Sequence, residues 1–415
     1  MFYRISLLGL LIFIACSNQN FAQSKRVLFL GNSYTGVNNL PLLFKNIALS
    51  TNDTIIIDSN TPGGYTLQGH STNATSLNKI QAGNWDYVVL QEQSQLPSFP
   101  DDQVAVEVFP YARTLDSIIN QYSPCVETVF YRTWGRKIGD ASNCTTWPPV
   151  CTYEGMDSLL HLRYMQMAFD NNALVSPVGV VWKYLRTVHP EIKLYAADGS
   201  HPSAAGSFAA ACSFYSVILR KNPENITFNN GLPDSVAHTI RAAAKTIAYD
   251  SLSKWFVGKY DPVADFNYSL LDNTISFQNS SIAANEYLWD FGDGSYDTQL
   301  NPSHTYTQSG SYIVTLTSSK CGRTSKRSVS INIIVLQSAD EIRYYPNPVK
   351  NMLTLYTNAA LKGKNYLLYN QLGQFLKSDI LKTNYTSIDL STLASGVYII
   401  KFENAIVKPI SVIKY

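Results

Sequence analysis

Short apolar runs alternate with longer amphipathic stretches over residues 25–256. The apolar runs predict strands at Arg26–Leu30, Thr54–Asp58, Tyr87–Leu90, Glu127–Tyr131 and Leu174–Val178. The amphipathic stretches predict helices at Leu40–Leu49, Val104–Asn120, Asp157–Asp170, Ala204–Arg220 and Ser235–Trp255. Strands that alternate with helices predict an α/β domain, whose parallel sheet is covered by helices on both faces.

The pattern changes near residue 260. From Asp261 to Val335 there are alternating runs such as Tyr312–Thr317, separated by Gly, Asn, Asp and Ser turns. This pattern is typical of a small β-sandwich. The residues from about 340 onward again show only strand patterns. We therefore expect three domains, at residues 25–256, 261–335 and 340–415.

The N-terminus has the pattern of a secretory signal peptide. Arg4 precedes an apolar run over residues 7–15, and Asn20-Phe21-Ala22 forms a small-residue cleavage site before Gln23. We predict a signal peptide over residues 1–22. Acylation at Cys16, as in a lipoprotein, is the alternative. No later segment is long and apolar enough to cross a bilayer, so no transmembrane segment is expected in the mature chain.

Composition and cysteine content agree with a secreted protein. The chain has 415 residues, a formal charge of +2 and only 15% charged residues, which gives no electrostatic case for a nucleic-acid partner. Without the signal peptide five cysteines remain, so at least one thiol is expected to be free. Cys144 and Cys151 flank a Pro-rich loop and are expected to form a disulfide. Cys212 is expected to be a small buried residue.

A serine lies just beyond the first predicted strand. The apolar run Val27–Leu30 ends at Gly31-Asn32-Ser33. Sites in parallel sheets form beyond the carboxyl ends of the strands, where Ser33 is expected. A serine hydroxyl is a weak nucleophile near neutral pH unless an imidazole takes its proton. Ser33 is the candidate nucleophile, and the alternative is a turn that carries these residues only for helix capping.

An aspartate and a histidine lie three residues apart in the loop Asp198-Gly199-Ser200-His201-Pro202. This spacing lets the Asp198 carboxylate reach one imidazole nitrogen of His201 while the other nitrogen faces outward. The pair is therefore the candidate general base with its orienting acid. The alternative is a structural loop, in which Asp198 caps the following helix and His201 is exposed.

Candidate oxyanion donors follow the second and third strands. Pro62-Gly63-Gly64-Tyr65 comes after the second strand, and its glycines allow backbone N–H groups to approach a substrate. The third strand runs into Gln91-Glu92-Gln93, where an amide side chain can donate a hydrogen bond. The alternative is that Gly63 and Gly64 form a plain turn and that Gln91 is a surface residue.

Together these segments resemble the SGNH (GDSL-like) hydrolase family. Gly31-Asn32-Ser33 matches the nucleophile block, Gly64 matches the glycine that donates to the oxyanion, and Asp198 with His201 matches the DxxH block. The resemblance implies a flavodoxin-like three-layer α/β fold. It also implies a Ser33–His201–Asp198 triad that hydrolyses carboxylic esters without a metal or an organic cofactor.

The chain departs from the family pattern at two positions. Asn32 stands where the family usually has an aspartate of mainly structural role. The Gly-x-Asn of the third block is absent, and Gln91-Glu92-Gln93 stands in its place. We expect Gln91, which directly follows the strand, or else Gln93 to replace that asparagine as an oxyanion donor beside the N–H groups of Ser33 and Gly64.

Two further resemblances cover the C-terminal domains. The segment Trp289-Asp290-Phe291-Gly292-Asp293-Gly294, followed by His304-Thr305-Tyr306, resembles a PKD domain. Such domains are non-catalytic Ig-like modules that act as spacers or bind polysaccharide. The last residues, from Tyr344-Tyr345-Pro346-Asn347-Pro348 to Gly396-Val397-Tyr398, are similar to the C-terminal sorting domain of type IX secretion. That similarity implies a partner, the secretion machinery, and export across the outer membrane of a Gram-negative bacterium to a secreted or surface-attached location.

The sequence therefore predicts a secreted serine esterase. An acetyl ester on a polysaccharide is the expected substrate class, because the PKD domain and surface export suggest it, and lipid esters and small aryl esters are the alternatives. His70 and Trp134 are the candidates for substrate contact, and no histidine has convincing metal-ligand spacing. The alternative function is an inactive carbohydrate-binding or adhesive surface protein, which the missing third-block asparagine favours.

Overall fold

The computed structural model of the chain describes residues 24–335, 342–357, 361–403 and 407–415. The predicted signal peptide and Cys16 lie outside these residues. The chain divides after Tyr260 into two compact units, which are described separately.

The first unit contains a five-stranded parallel sheet in the order β2-β1-β3-β4-β5. Its strands are β1 Lys25–Leu30, β2 Ile55–Asn60, β3 Tyr87–Leu90, β4 Glu127–Tyr131 and β5 Leu174–Ser176. Its α-helices are α1 Ser33–Gly36, α2 Leu40–Leu49, α3 Leu67–Thr72, α4 Ala74–Gln81, α5 Asp101–Glu107, α6 Phe109–Tyr122, α7 Tyr153–Asp170, α8 Val178–Val188, α9 Ala204–Ile218 and α10 Asp234–Ala244. The predicted α/β class is confirmed.

The central strands carry continuous apolar runs because helices cover both faces of the sheet. Val27–Leu30 and the four residues of β3 are buried without alternation. One continuous core surrounds them, and α9 lies almost entirely inside it. The carboxyl ends of β1, β3 and β4 therefore open onto the same edge of the sheet.

Several element boundaries differ from the sequence-based expectation because of proline. The helix expected over Val104–Asn120 is two helices, α5 and α6, which meet at Val108. Pro110 lacks an N–H group and is tolerated only in the first turn of a helix, so a new helix begins there. Pro177 likewise ends β5 at Ser176, and Val178 begins a helix that the sequence pattern missed.

The helix expected over Ser235–Trp255 is also interrupted. Helix α10 ends at Ala244, and a π-helical turn over Lys245–Tyr249 and a 3-10 turn over Leu252–Trp255 follow it. Helices α3 and α4 are short and were not expected from the pattern. The strands Tyr87–Leu90 and Glu127–Tyr131 and the helix Leu40–Leu49 are confirmed at both ends.

The second unit contains antiparallel sheets. Residues up to Ile333 form one three-stranded and one four-stranded sheet, built from β6 Phe266–Leu271, β7 Thr274–Asn279, β8 Glu286–Asp290, β9 Tyr296–Asp297, β10 Ser303–Thr305, β11 Gly310–Lys320 and β12 Arg323–Ile333. The remainder forms a three-stranded and a four-stranded sheet, built from β13 Arg343–Tyr345, β14 Met352–Tyr356, β15 Asn365–Asn370, β16 Phe375–Ile380, β17 Tyr385–Asp389, β18 Gly396–Phe402 and β19 Ile410–Lys414. Each pair of sheets has its own hydrophobic core, centred on residues such as Trp289 and Leu368.

The cysteines of the loop after β4 are paired as expected. Cys144 and Cys151 form a disulfide with a Cα–Cα distance of 4.6 Å. Cys212 is a buried free thiol inside α9, also as expected.

Candidate active site

Ser33 is the first residue of helix α1, directly beyond the carboxyl end of β1. Asn32 is the N-cap of this helix, and its side-chain oxygen accepts the N–H of Tyr34 at 3.0 Å. Gly31 precedes it where a Cβ atom would lie 2.5 Å from Thr35 Oγ1 and 2.7 Å from Gln91 Oε1. Only glycine allows the chain to turn this tightly against those two side chains.

The structure brings Ser33, His201 and Asp198 together. His201 Nε2 is 2.9 Å from Ser33 Oγ, and His201 Nδ1 is 2.5 Å from Asp198 Oδ2. A carboxylate only accepts hydrogen bonds, so Nδ1 carries the imidazole proton and Nε2 is left to accept the serine proton. This is the relative arrangement of nucleophile, base and orienting acid that acyl transfer requires.

The Asp198 carboxylate is also held by its own loop. Its Oδ1 atom accepts the backbone N–H groups of Ser200 and His201, each at 3.0 Å. The hydrogen bond from His201, followed by that from the Ser200 N–H, lowers the pKa of Asp198 to about 2. The carboxyl group therefore stays ionised at neutral pH and can stabilise positive charge on the imidazole.

Aromatic side chains support this loop from inside the domain. Trp134 Nε1 donates to the carbonyl oxygen of Ser200 at 3.0 Å. The indole stacks between Tyr34 and Trp182, with ring centroids at 4.8 and 3.6 Å. The Tyr34 hydroxyl completes the support by a 2.7 Å hydrogen bond to Ser200 Oγ.

Trp134 was expected to contact substrate, and its burial contradicts this. Its side chain is fully buried, because the two stacked rings cover it. Its indole N–H instead holds the loop that carries Asp198 and His201. Tyr34 was missed by the sequence reasoning, although an aromatic residue directly after a candidate nucleophile was a usable signal.

Gly64 lies in the segment Pro62-Gly63-Gly64-Tyr65-Thr66 between β2 and α3, which we call the oxyanion loop. Its φ of +68° favours glycine, and the position where a Cβ would lie is open. Within the described residues, the backbone N–H groups of Ser33 and Gly64 donate to no protein acceptor. Both N–H groups are therefore available to a developing oxyanion.

Gln91 does not have the expected role. Its side chain is fully buried, so it cannot meet a substrate oxygen. Its Oε1 atom accepts the N–H of Asn32 and the hydroxyl of Thr35, both at 2.9 Å, and its Nε2 atom donates to the carbonyl of Glu92. Gln91 therefore braces the turn that carries Ser33.

Gln93 is half-buried, and its amide is used within its own turn. Its Oε1 atom accepts the N–H groups of Gln95 and Leu96, and its Nε2 atom donates to Gln95 Oε1 at 3.1 Å. A role for Gln93 as a third oxyanion donor stays a prediction.

His70 was expected to line the pocket, but it is fully buried behind the nucleophile turn. Its Nε2 atom lies 2.9 Å from the carbonyl oxygen of Gly31, and its Nδ1 atom lies 2.7 Å from Ser76 Oγ. Burial lowers the pKa of His70, which favours the neutral ring. With both nitrogens engaged, His70 holds the backbone of Gly31 and has no contact to offer a substrate.

Family models match both C-terminal segments. Residues 265–335 match the PKD domain, and residues 343–411 match the secretion system C-terminal sorting domain. The pre-pro-metalloprotease PrtV of Vibrio cholerae is 40% identical over 70 residues, which are 16% of this chain and 8% of that protein. The chain thus spans less than a tenth of the length of this curated relative. The sorting domain indicates export across the outer membrane to a secreted or cell-surface location.

Two solved structures align with about half of the chain. A DUF4886 family protein from Bacteroides uniformis is 16% identical, with a TM-score of 0.47, and the alignment covers 55% of this chain and 95% of that one. A candidate SGNH hydrolase from Slackia heliotrinireducens is 27% identical, with a TM-score of 0.38, and the alignment covers 46% of this chain and 97% of that one.

Within residues 24–335, 342–357, 361–403 and 407–415, no helix has the length and apolarity needed to cross a membrane. The sheet, the position of Ser33 and the two family matches together give the organisation of the chain. It carries an α/β domain with a parallel sheet, a segment that matches the PKD domain and a segment that matches the secretion system C-terminal sorting domain, in that order.

Proposed function

We propose that the protein is a secreted serine esterase whose α/β domain hydrolyses an acyl ester. The observation that carries the proposal is the chain of contacts from Ser33 Oγ to His201 Nε2 at 2.9 Å and from His201 Nδ1 to Asp198 Oδ2 at 2.5 Å. A buried network of hydrogen bonds and stacked rings supports both ends of this chain of contacts. Such support is expected where side chains must stay in a reactive geometry.

The first half of the reaction forms an acyl-enzyme. As Ser33 Oγ attacks the ester carbonyl carbon, His201 Nε2 takes the hydroxyl proton. The Asp198 carboxylate stabilises the resulting imidazolium. The N–H groups of Ser33 and Gly64 donate to the tetrahedral oxyanion. His201 then gives its proton to the leaving alcohol, and the carbon–oxygen bond to that alcohol breaks.

The second half releases the acyl group. A water molecule gives a proton to His201 Nε2 and attacks the acyl carbonyl carbon, and the same two N–H groups stabilise the second oxyanion. Collapse of this intermediate returns the proton to Ser33 Oγ and frees the carboxylic acid. These steps need no metal and no organic cofactor.

An acetyl ester on a polysaccharide is the substrate class that we favour. Segments that match a PKD domain and a sorting domain accompany the α/β domain, and this favours a polymer substrate outside the cell. The substrate class is tested separately from the reaction, because a fold and its partner domains do not determine the substrate of a site. Acetylated xylan and p-nitrophenyl acetate distinguish a polymer ester from a small activated ester.

The test is to compare wild type with Ser33→Ala on both substrates. We expect wild type to release acetate and the variant to fall by at least roughly 10³-fold, because the nucleophile is lost. Ser235→Ala is the matched control, because it removes the hydroxyl of an exposed serine in α10, outside the candidate site. Equal rates for wild type and Ser33→Ala on every ester would overturn the proposal.

The inactive, carbohydrate-binding alternative has one observation in its favour. Gln91 is buried, so the position expected to supply a third oxyanion donor does not supply it. This alternative predicts that wild type and Ser33→Ala bind acetylated xylan equally well and that neither hydrolyses it. Pull-down on the insoluble polymer, measured beside acetate release, separates the two functions.

A further inference from the structure

A buried carboxyl group joins the end of β3 to the oxyanion loop. The Glu92 side chain is fully buried, and its Oε1 and Oε2 atoms lie 3.1 and 3.2 Å from the backbone nitrogen of Leu67. Its Oε1 atom also accepts the N–H of Gln93 at 2.6 Å. Leu67 is the first residue of α3, directly after the oxyanion loop. The proposed reaction gives Glu92 no proton to transfer.

The surroundings of Glu92 disfavour its charge, which makes a carboxyl group costly there. Burial raises the pKa of Glu92 to about 8, while the Gln93 and Leu67 N–H groups act in the opposite direction. The Tyr164 hydroxyl accepts the backbone N–H of Glu92, and the charge of Glu107 raises the Glu92 pKa further. An apolar side chain would fill this space without that cost, so the hydrogen bonds are the feature that a glutamate adds.

Gly64 has little packing of its own. Gly64 is exposed and the position where a Cβ would lie is open, so neighbouring residues must fix the direction of its N–H group. Two side chains reach the backbone just after it. Asn32 Nδ2 donates to the carbonyl of Tyr65 at 2.9 Å, and Glu92 accepts the N–H of Leu67.

Gln91 and Glu92 are consecutive, and they brace different halves of the site. Gln91 accepts hydrogen bonds from the nucleophile turn, and Glu92 accepts one from the segment that ends the oxyanion loop. The residues that follow β3 therefore contact both the turn that carries Ser33 and the helix start that follows the oxyanion loop. We propose that Glu92 is a positioning residue, which acts through the Leu67 backbone to hold the Gly64 N–H toward the oxyanion.

This inference rests on the proposed function, and two conservative variants test it. Glu92→Gln keeps the length of the side chain and an oxygen that can accept both N–H groups. Glu92→Asp keeps the carboxyl group but is one methylene too short to reach Leu67. Glu107→Gln is the matched control, because it removes a nearby carboxylate that bonds Gln103 rather than the loop.

We expect Glu92→Gln to stay within about 3-fold of wild type in kcat, and Glu92→Asp to lose roughly 10- to 100-fold with little change in KM. A displaced oxyanion donor weakens transition-state binding more than substrate binding, which explains that split. Equal losses in both variants, or full activity in Glu92→Asp, would overturn the inference.

A second readout does not depend on ester turnover. Amide hydrogen exchange of the full chain reports the Leu67 N–H directly. We expect its protection to persist in Glu92→Gln and Glu107→Gln and to fall at least about 10-fold in Glu92→Asp. If wild type hydrolyses no ester, the proposed function fails, while loss of Leu67 protection in Glu92→Asp still supports the positioning role. Unchanged protection in Glu92→Asp contradicts it.

Discussion

Asn32 donates a hydrogen bond from its side-chain Nδ2 to the backbone carbonyl oxygen of Tyr65, 2.9 Å away. The same side chain accepts the Tyr34 N–H through its Oδ1 atom. An aspartate can reproduce the second contact but not the first, because an ionised carboxylate has no donor. An asparagine at this position can therefore donate to the Tyr65 carbonyl oxygen, whereas an aspartate cannot.

Asn32→Asp is expected to place a carboxylate oxygen against that carbonyl and push the oxyanion loop away. A lost hydrogen bond of this kind costs about 0.5–1.5 kcal/mol, so kcat/KM should fall roughly 3- to 10-fold. Steady-state kinetics on p-nitrophenyl acetate measure the change. Asn78→Asp, at an exposed position of α4, is the matched control and should be neutral. Wild-type kinetics in Asn32→Asp would contradict the pairing.

Gly31→Ala tests the tightness of the nucleophile turn. The added Cβ would lie within 2.7 Å of both Thr35 Oγ1 and Gln91 Oε1, which are themselves hydrogen-bonded. One of them must move, so we expect about 1–3 kcal/mol of destabilisation and at least a tenfold loss of kcat. Urea unfolding measures the change in the free energy of unfolding, and steady-state kinetics on an ester measure the change in kcat. Gly63→Ala, where the space is open, should leave the unfolding free energy unchanged.

The sequence predicted that Ser33, His201 and Asp198 would meet, but it did not predict the contacts that support them. Ser33, Asp198 and His201 are recognisable because they are short motifs with fixed local spacing. Gln91 was assigned wrongly because both a donor and a brace are compatible with a glutamine at a strand end. Only the fold shows that this side chain turns inward to Asn32.

His70 and Trp134 were misassigned for a related reason. Histidine and tryptophan near a site are expected at its surface because they offer polar groups. Here those groups bond backbone carbonyls of Gly31 and Ser200 from the buried side. Such contacts join segments that are far apart in the chain, so the local spacing of residues cannot predict them. The parallel sheet was predictable because the periodicity of its strands is local.

Trp134→Phe separates a positioning role from substrate contact. Phenylalanine keeps an aromatic ring in the stack but cannot donate to the Ser200 carbonyl. We expect kcat to fall roughly 3- to 10-fold with KM unchanged, because only the triad loop is loosened. Trp147→Phe loses a similar indole hydrogen bond, to the Ser98 carbonyl, and is the control. A change in KM alone would indicate substrate contact at Trp134.

Asp198→Asn tests the orienting carboxylate. Asparagine presents a donor or a neutral acceptor to His201 Nδ1, so the correct tautomer and the imidazolium lose their stabilisation. We expect kcat to fall by roughly 10³-fold or more, measured against the exposed control Asp102→Asn. A drop of less than tenfold would show that His201 works without Asp198.

The same aspartate constrains the pH dependence of wild type. Because its pKa is lowered to about 2, Asp198 stays ionised well below its ordinary titration range. Its contribution to stability is present above the unfolded value of 3.8 and is lost as pH falls through about 2. Asp198 should therefore still be charged between pH 7 and pH 4, and any loss of esterase activity in this range should not come from its protonation. Carboxyl chemical shifts measured by NMR across this range check its ionisation.

The contribution of Glu92 to stability is expected to depend on pH in the opposite direction to that of Asp198. Its pKa is raised from 4.5 to about 8, so between these values the folded chain binds more protons than the unfolded chain. The stability that this group contributes is complete below pH 4.5 and is lost as pH rises through about 8. Glu92→Gln does not titrate, so its stability relative to wild type should rise across that window.

The expected gain is on the order of a few kcal/mol, and it should level off above pH 9. Urea unfolding of the full chain, followed by tryptophan emission, measures it, because five of the six tryptophans precede residue 261. Glu154→Gln, at an exposed position in the first turn of α7, serves as the control for a general loss of negative charge. A difference between Glu92→Gln and wild type that stays constant from pH 5 to pH 9 would mean that Glu92 is already ionised throughout. The carboxylate would then hold the Leu67 N–H at every pH in that range, and the oxyanion loop would have no pH dependence through this residue.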